Sequence, residues 1–211
     1  MKIRRTLSVL CAAVLAAGAG VALAPAANAA GTTSLASVLA ADGDTFDHNW
    51  YDFDIVDQAV AAVLAAKPDS PVSVLADGSV PLTAFLPNDR AFQVLAFDLT
   101  HRWYKSEAKV LTAIAGAVGV DAVEQVLLYH VVPGATIDSG TALASNGARL
   151  TTAQGGAITV KVWSKRCGIV QLKDRDRNDL DPFLVRSKLD INKGNVQIAH
   201  GISLVLRPLN L

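Results

Sequence analysis

Cysteine is almost missing from this sequence: only Cys11 and Cys167 carry a thiol in 211 residues. That excludes a disulfide framework, so the fold must rest on a packed core. Histidine is scarce as well, limited to His48, His101, His130 and His200. No serine is tied to any of them by local spacing, and the sequence has no G-x-S-x-G elbow, glycine-rich phosphate cradle or His/Cys metal cluster. Nucleophilic catalysis therefore has no motif behind it, and neither a cofactor nor a metal is expected. Charge of one sign is lacking too, with 19 Lys and Arg against 19 Asp and Glu. Without a basic stripe to follow phosphates, nucleic-acid binding is not expected.

The N-terminus, by contrast, is strongly patterned. Lys2, Arg4 and Arg5 precede an apolar run from Leu7 to Leu23, followed by Pro25 and Ala27-Asn28-Ala29. A basic start, an apolar middle and small residues at the -3 and -1 positions predict a signal peptide over 1–29. A membrane anchor would want ~20 strongly apolar residues, whereas this run is rich in Ala and Gly and broken by Pro25. Ile3 and Ser8 fit a twin-arginine signal poorly, and Leu10 is too large to precede a lipidated Cys11. Residues 30–211 are then one domain's worth of chain, secreted or wall-associated, with no transmembrane anchor after cleavage. Cys167 would be left alone, and is expected as a small buried hydrophobe.

Beyond the leader, apolar periodicity changes from helical to alternating, which predicts an α+β fold. Leu35, Val38 and Leu39 begin a short helix ending at Gly43. Ile55 to Leu64 form a second, capped by Asp52 or Asp54 and stopped by Lys67-Pro68. Val80 to Leu86 reads as a strand ended by Pro87. Asn88 caps the next helix, with Asp89 in its first turn where the helix dipole favours an anion. Ser106 to Val118 is helical up to Gly119, and Asp121 with Glu124 forms a capping-box pattern for one more helix. After Pro133-Gly134 the period is two: Ile158, Val160 and Val162 face inward, and Thr159, Lys161 and Trp163 outward. Gly155-Gly156 turns a hairpin, a second pairs Ile169–Leu172 with Phe183–Val185, and two last strands fit Val196–Ala199 and Ile202–Leu206.

Three segments, in order, resemble the fasciclin (FAS1) domain family. They are Thr83-Ala84-Phe85-Leu86-Pro87-Asn88-Asp89-Arg90-Ala91-Phe92, then Leu127-Leu128-Tyr129-His130-Val131-Val132-Pro133-Gly134, and finally Ile198-Ala199-His200-Gly201-Ile202-Ser203-Leu204-Val205-Leu206-Arg207-Pro208. The resemblance spans Thr33 to Pro208. It implies a wedge-shaped β-sheet sandwich with several helices packed along it, and a surface or matrix protein that binds protein or glycan partners without catalysis. Gly201 and Ser203 depart from the second signature's usual apolar residue and acid, and the stretches Ala96–Lys109 and Trp163–Ser187 are longer than the family's. Phe85 and Phe92 are expected to point into one core, so the signatures read first as folding determinants.

The candidate partner-binding residues are Trp103, Trp163, Tyr129 and His130. The resemblance places Tyr129-His130 near adhesion surfaces. The helical pattern instead puts His130 beside Val123, Val126 and Leu127, inside and hydrogen-bonded. Trp50, Tyr51, Trp103, Tyr104 and Trp163 fall in loops or on the polar strand face, where flat rings stack on sugars or anchor interfaces. They could equally cover small cores of their own. Asp174, Asp176, Asn178 and Asp181 are spaced like the start of a calcium loop, but Asp179 and Val185 stand where such a loop needs Gly and Glu. A polar hairpin tip, its acids offset by Arg175 and Arg177, is expected there. Of the acidic stretch Asp42, Asp44, Asp47, Asp52 and Asp54, two are expected as helix caps. The alternative function is an extracellular hydrolase of polymers or esters, which would need a pocket around His130, His200 or His48.

Overall fold

A computed structural model describes residues 30–41, 43 and 46–209. The leader expected at 1–29, and Asp42 and Asp44, lie outside the described residues. The elements run α1 (Leu35–Ala40), α2 (Asp54–Ala66), β1 (Leu82–Pro87), α3 (Asp89–Thr100), α4 (Glu107–Tyr129), β2 (Val131–Pro133), α5 (Ser139–Ala144), β3 (Arg149–Thr151), β4 (Ala157–Ser164), β5 (Ile169–Lys173) and β6 (Gln197–Ile202). They form two three-stranded sheets, ordered β2-β1-β6 and β3-β4-β5. β1 is antiparallel to β2 and parallel to β6, with Leu82 opposite Gln197 and Pro87 opposite Ile202. Residues 182–185 bridge the sheets: the Leu184 N–H donates to Val170 O at 2.9 Å, and the Val185 N–H to Gly201 O at 2.8 Å.

β1 is buried along its whole length, so its alternating side chains serve two cores. Leu82, Ala84 and Leu86 pack with Ile55, Val60 and Phe92 in a cluster shared with the helices. Phe85 points the other way, onto Tyr129, Ile158, Val160, Leu172 and Ile202 between the two sheets. Phe85 and Phe92 therefore do not share one core, because the sheet runs between them. Each such burial stabilises the fold by ~1.5–3 kcal/mol.

Local signals explain most boundaries, and the exceptions are informative. Asn88 caps α3, its side-chain oxygen accepting the Ala91 N–H at 3.0 Å, and Asp138 caps α5 through the Thr141 N–H at 2.8 Å. Neither Asp52 nor Asp54 caps α2; Phe53 occupies that position, without a side-chain cap bond. Gly119, at φ 81° and ψ 163°, breaks α4 where a helix end is expected, but the helix resumes at once. Glu124 closes no capping box: its carboxylate takes the Lys67 ammonium and, at 2.5 Å, the Ser70 hydroxyl. By length and composition alone α4 could cross a membrane, yet Gly119 interrupts it and Val110, Ile114, Val126 and Leu127 are buried in the core. Where two last strands are expected, the described residues hold one, with Val205 and Leu206 buried beyond β6. Cys167 is exposed, not buried. It sits in the turn between β4 and β5, where Gly168 takes φ 64°.

Candidate functional site

Trp163 stands on the outward face of β4, 58 % exposed. Its position is fixed rather than free. The Lys161 ammonium lies 3.9 Å from the ring centroid, and the indole N–H donates to Gln171 Oε1 on β5 at 3.0 Å. Strand alternation puts Lys161 two residues away on the same face, while register puts Gln171 opposite Lys161. Ile169 and Phe183 are also exposed, and Phe183 bridges to Gln171. The result is a flat patch with an aromatic centre and a lysine on one ring face. Trp103, 45 % exposed, follows α3. Arg90 stacks on it at 4.6 Å and Phe97 meets it edge-on at 5.7 Å. Tyr51 is exposed, whereas Trp50 and Tyr104 pack partly onto the helical core.

Tyr129 and His130 stand apart from these, for both are core residues. The Tyr129 hydroxyl donates to Ala157 O at 2.9 Å, and burial pushes its pKa up to about 12. His130 Nδ1 donates to Val126 O at 2.7 Å, and its Nε2 accepts the Leu206 N–H at 2.9 Å. These partners set one neutral tautomer, and burial lowers the pKa to about 4. A direct partner contact by either side chain is corrected to a structural role: the ring joins the end of α4 to the C-terminal segment. His200 is held the opposite way round, Nε2 donating to Ile137 O at 2.8 Å and Nδ1 accepting the Asp190 N–H at 3.2 Å. Neither buried histidine keeps a nitrogen free to act as a base. His48 is exposed, at φ 72°.

The acidic tip at 174–181 is organised by a residue from another segment. Among the described residues neither Arg175 nor Arg177 forms an ion pair with its acids; Arg207 does. Its guanidinium pairs with Asp179, with Asp98 at 2.6 Å and, at 3.9 Å, with Asp176. The Arg207 N–H also donates to Asp174 at 2.8 Å. Within the tip, Asp174 accepts the Asp176 N–H and Asp176 the Asn178 N–H, each at 2.9 Å. Burial raises the Asp174 pKa to about 6 against those hydrogen bonds. A guanidinium thus occupies the position among these acids that a cation would take.

The fasciclin domain model matches residues 57–208 of this sequence. The chain belongs to the fasciclin family. Among solved structures, it resembles a FAS1 domain pair from the insect cell adhesion molecule fasciclin I, with a TM-score of 0.51 and 16 % identity over 74 % of this chain and 48 % of that one. At that identity the likeness speaks for the fold alone, and this fasciclin chain spans about half of the pair. No curated protein matches it.

One arrangement in this fasciclin domain has no counterpart in the sequence pattern. Asp54, Asp89 and Glu107 each bring a carboxylate oxygen within 4.8 Å of the others, and Asp52 and Asp47 stand in the same relation to Asp54. Asp89 does not face solvent at its helix start; its carboxylate accepts the Ile55 N–H at 2.9 Å. Glu107 accepts the His48 N–H at 3.1 Å. Burial, then the acids Asp52, Asp47 and Glu107, lift the Asp54 pKa to about 6. Burial and the side chain of Asp52 raise that of Asp89 further still. The sequence hint was Asp89 inside the first signature, but Glu107 comes from a segment that no local spacing connects to it.

Proposed function

We propose that this fasciclin domain is an exported surface or matrix protein that binds protein or glycan partners without catalysis. The observation that carries this reading is Trp163, displayed on the outer face of β4 and braced by Lys161 and Gln171. A ring already fixed in place loses little side-chain entropy on binding, and the ring face opposite Lys161 can stack on a sugar or an apolar side chain. Trp103, stacked with Arg90, offers a second anchor. Membership of the fasciclin family, which includes the insect cell adhesion molecule fasciclin I, supports it. The hydrolase alternative needs a histidine free to take a proton; main-chain bonds on both nitrogens remove His130 and His200 from that role and leave it to the exposed His48. Localisation outside the cytoplasm rests on the leader pattern of residues 1–29.

The test is binding of the purified protein to whole cells and isolated wall or matrix polymers, with ester hydrolysis followed in the same samples. Saturable binding that is lost in a Trp103→Ala/Trp163→Ala double variant with an unchanged circular dichroism spectrum is the expected result. Unchanged binding in that variant would refute the aromatic assignment. Turnover abolished by a single His or Ser replacement would make the protein an enzyme.

A further inference from the structure

We infer that Asp54, Asp89 and Glu107, with Asp52 beside Asp54, form a binding site for one divalent hard cation of the calcium type. Asp52, Asp54, Asp89 and Glu107 are 4 %, 8 %, 0 % and 1 % exposed. They converge from the segment before α2, the first residue of α2, and the first residues of α3 and α4. Main-chain donors use one oxygen of Asp89 and one of Glu107. A second oxygen on each, Asp89 Oδ2 and Glu107 Oε1, is buried with no hydrogen-bond partner, and so are Asp52 Oδ1 and Asp54 Oδ2. Among the described residues no lysine or arginine pairs with any of the four. Buried carboxylate oxygens left bare cost stability unless something positive meets them. The tip at 174–181 also holds a buried oxygen without a hydrogen bond, Asp176 Oδ2, but there the Arg207 guanidinium stands 3.9 Å away and meets its charge.

The donor set selects the ion class. It contains only oxygen, with neither thiolate nor imidazole, which suits Ca²⁺, Mg²⁺ or Mn²⁺ and not Zn²⁺ or Cu⁺. Mg²⁺ sheds its waters reluctantly and seeks octahedral order, whereas Ca²⁺ accepts several carboxylates, mono- or bidentate, in irregular enclosed geometry. Asp54 also lines a cleft of about 350 Å³ with Val38, Phe53, Lys188 and Ile191. Asp47 is the exposed carboxylate beside Asp52 and Asp54. Filling the site would tie the starts of α2, α3 and α4 together.

Equilibrium dialysis of chelator-stripped protein against CaCl₂, MgCl₂ and MnCl₂ tests this directly, together with melting temperature along the CaCl₂ titration. One Ca²⁺ per chain and a saturable rise in melting temperature are expected, with weaker binding of Mg²⁺. Asp89→Asn/Glu107→Gln should weaken Ca²⁺ binding about tenfold or more, yet melt no lower than the wild type in chelator. Asp174→Asn should leave binding unchanged. No bound Ca²⁺ on wild-type protein at millimolar concentration would overturn the site, and would mean that shared protons alone neutralise these acids. Binding lost through Asp174→Asn but kept in the double variant would overturn it equally, by moving the ion to the 174–181 tip.

Discussion

If His130 is a structural tie, acid should loosen the protein through that one ring, and the size of the effect follows from its surroundings. The folded pKa is about 4, below the ordinary 6.5, because burial penalises the imidazolium. Between those values the unfolded chain binds a proton that the folded chain refuses. The stabilisation is therefore fully present above pH 6.5 and is lost as pH falls towards 4. About 2.5 pKa units correspond to roughly 3 kcal/mol. Asp174 works in the opposite direction, since its raised pKa favours the folded state as pH falls from about 6. The ring's share must accordingly be read as a difference. Urea unfolding of the wild type and of His130→Gln, at pH 7 and at pH 4.5, cancels the carboxylates common to both. The gap in stability should shrink by about 2–3 kcal/mol at the lower pH. Nitrogen-15 NMR should show the Nδ1–H tautomer persisting below pH 5. A gap independent of pH, or an imidazolium signal near pH 6, would refute the reasoning and reopen a solvent-facing role for this residue.

Arg207→Ala should destabilise the protein by about 3 kcal/mol, because Asp176 loses its nearest cation while buried, although Asp98 and Asp179 can still reach water. Arg207→Lys should recover only part of this, since a point charge cannot span carboxylates that two guanidinium nitrogens hold apart. Denaturant midpoints check both variants, and an unaffected alanine variant would show that the tip folds without its guanidinium. Cys167 should react with a thiol reagent in the native protein at one equivalent per chain, as its exposure requires, and Cys167→Ser should change stability by less than about 0.5 kcal/mol. A thiol that reacts only after unfolding would place the residue back in a core.

Much of the fold was legible because local chemistry and tertiary demand agree along the signatures. Asn88 caps α3 as its residue type suggests, and the alternation of Ile158, Val160 and Val162 survives as the inner face of β4. What escaped the sequence depends on contacts between distant segments. Asp52 and Asp54 have the residue type of caps, but Phe53 takes the cap position and packing buries both carboxylates, Asp54 beside Asp89 and Glu107 from distant segments. Glu124 fits a capping box, yet Lys67 and Ser70, far back in the chain, compete for it and win. Cys167 looks like a small core residue until the β4–β5 turn places it at a tip. The exposed tryptophans were visible as residues; the lysine, arginine and glutamine that brace them were not, because strand register and helix packing bring those partners in.

The position of β1 also bears on how the molecule can come into being. Its parallel neighbour, β6, is the last strand among the described residues, and residues 88–196 lie between the two. Until residues 197–202 arrive, a growing polypeptide carries Leu82 to Pro87 as an apolar strand with one edge open, a template for pairing with other chains. Helices can form early, but the sheet around β1 cannot close until residues 197–202 are present, so its assembly is long-range and slow. A premature stop upstream of Gln197 would thus remove the partner of the central strand rather than trim a tail. Its product would be an aggregating chain in place of a shortened domain.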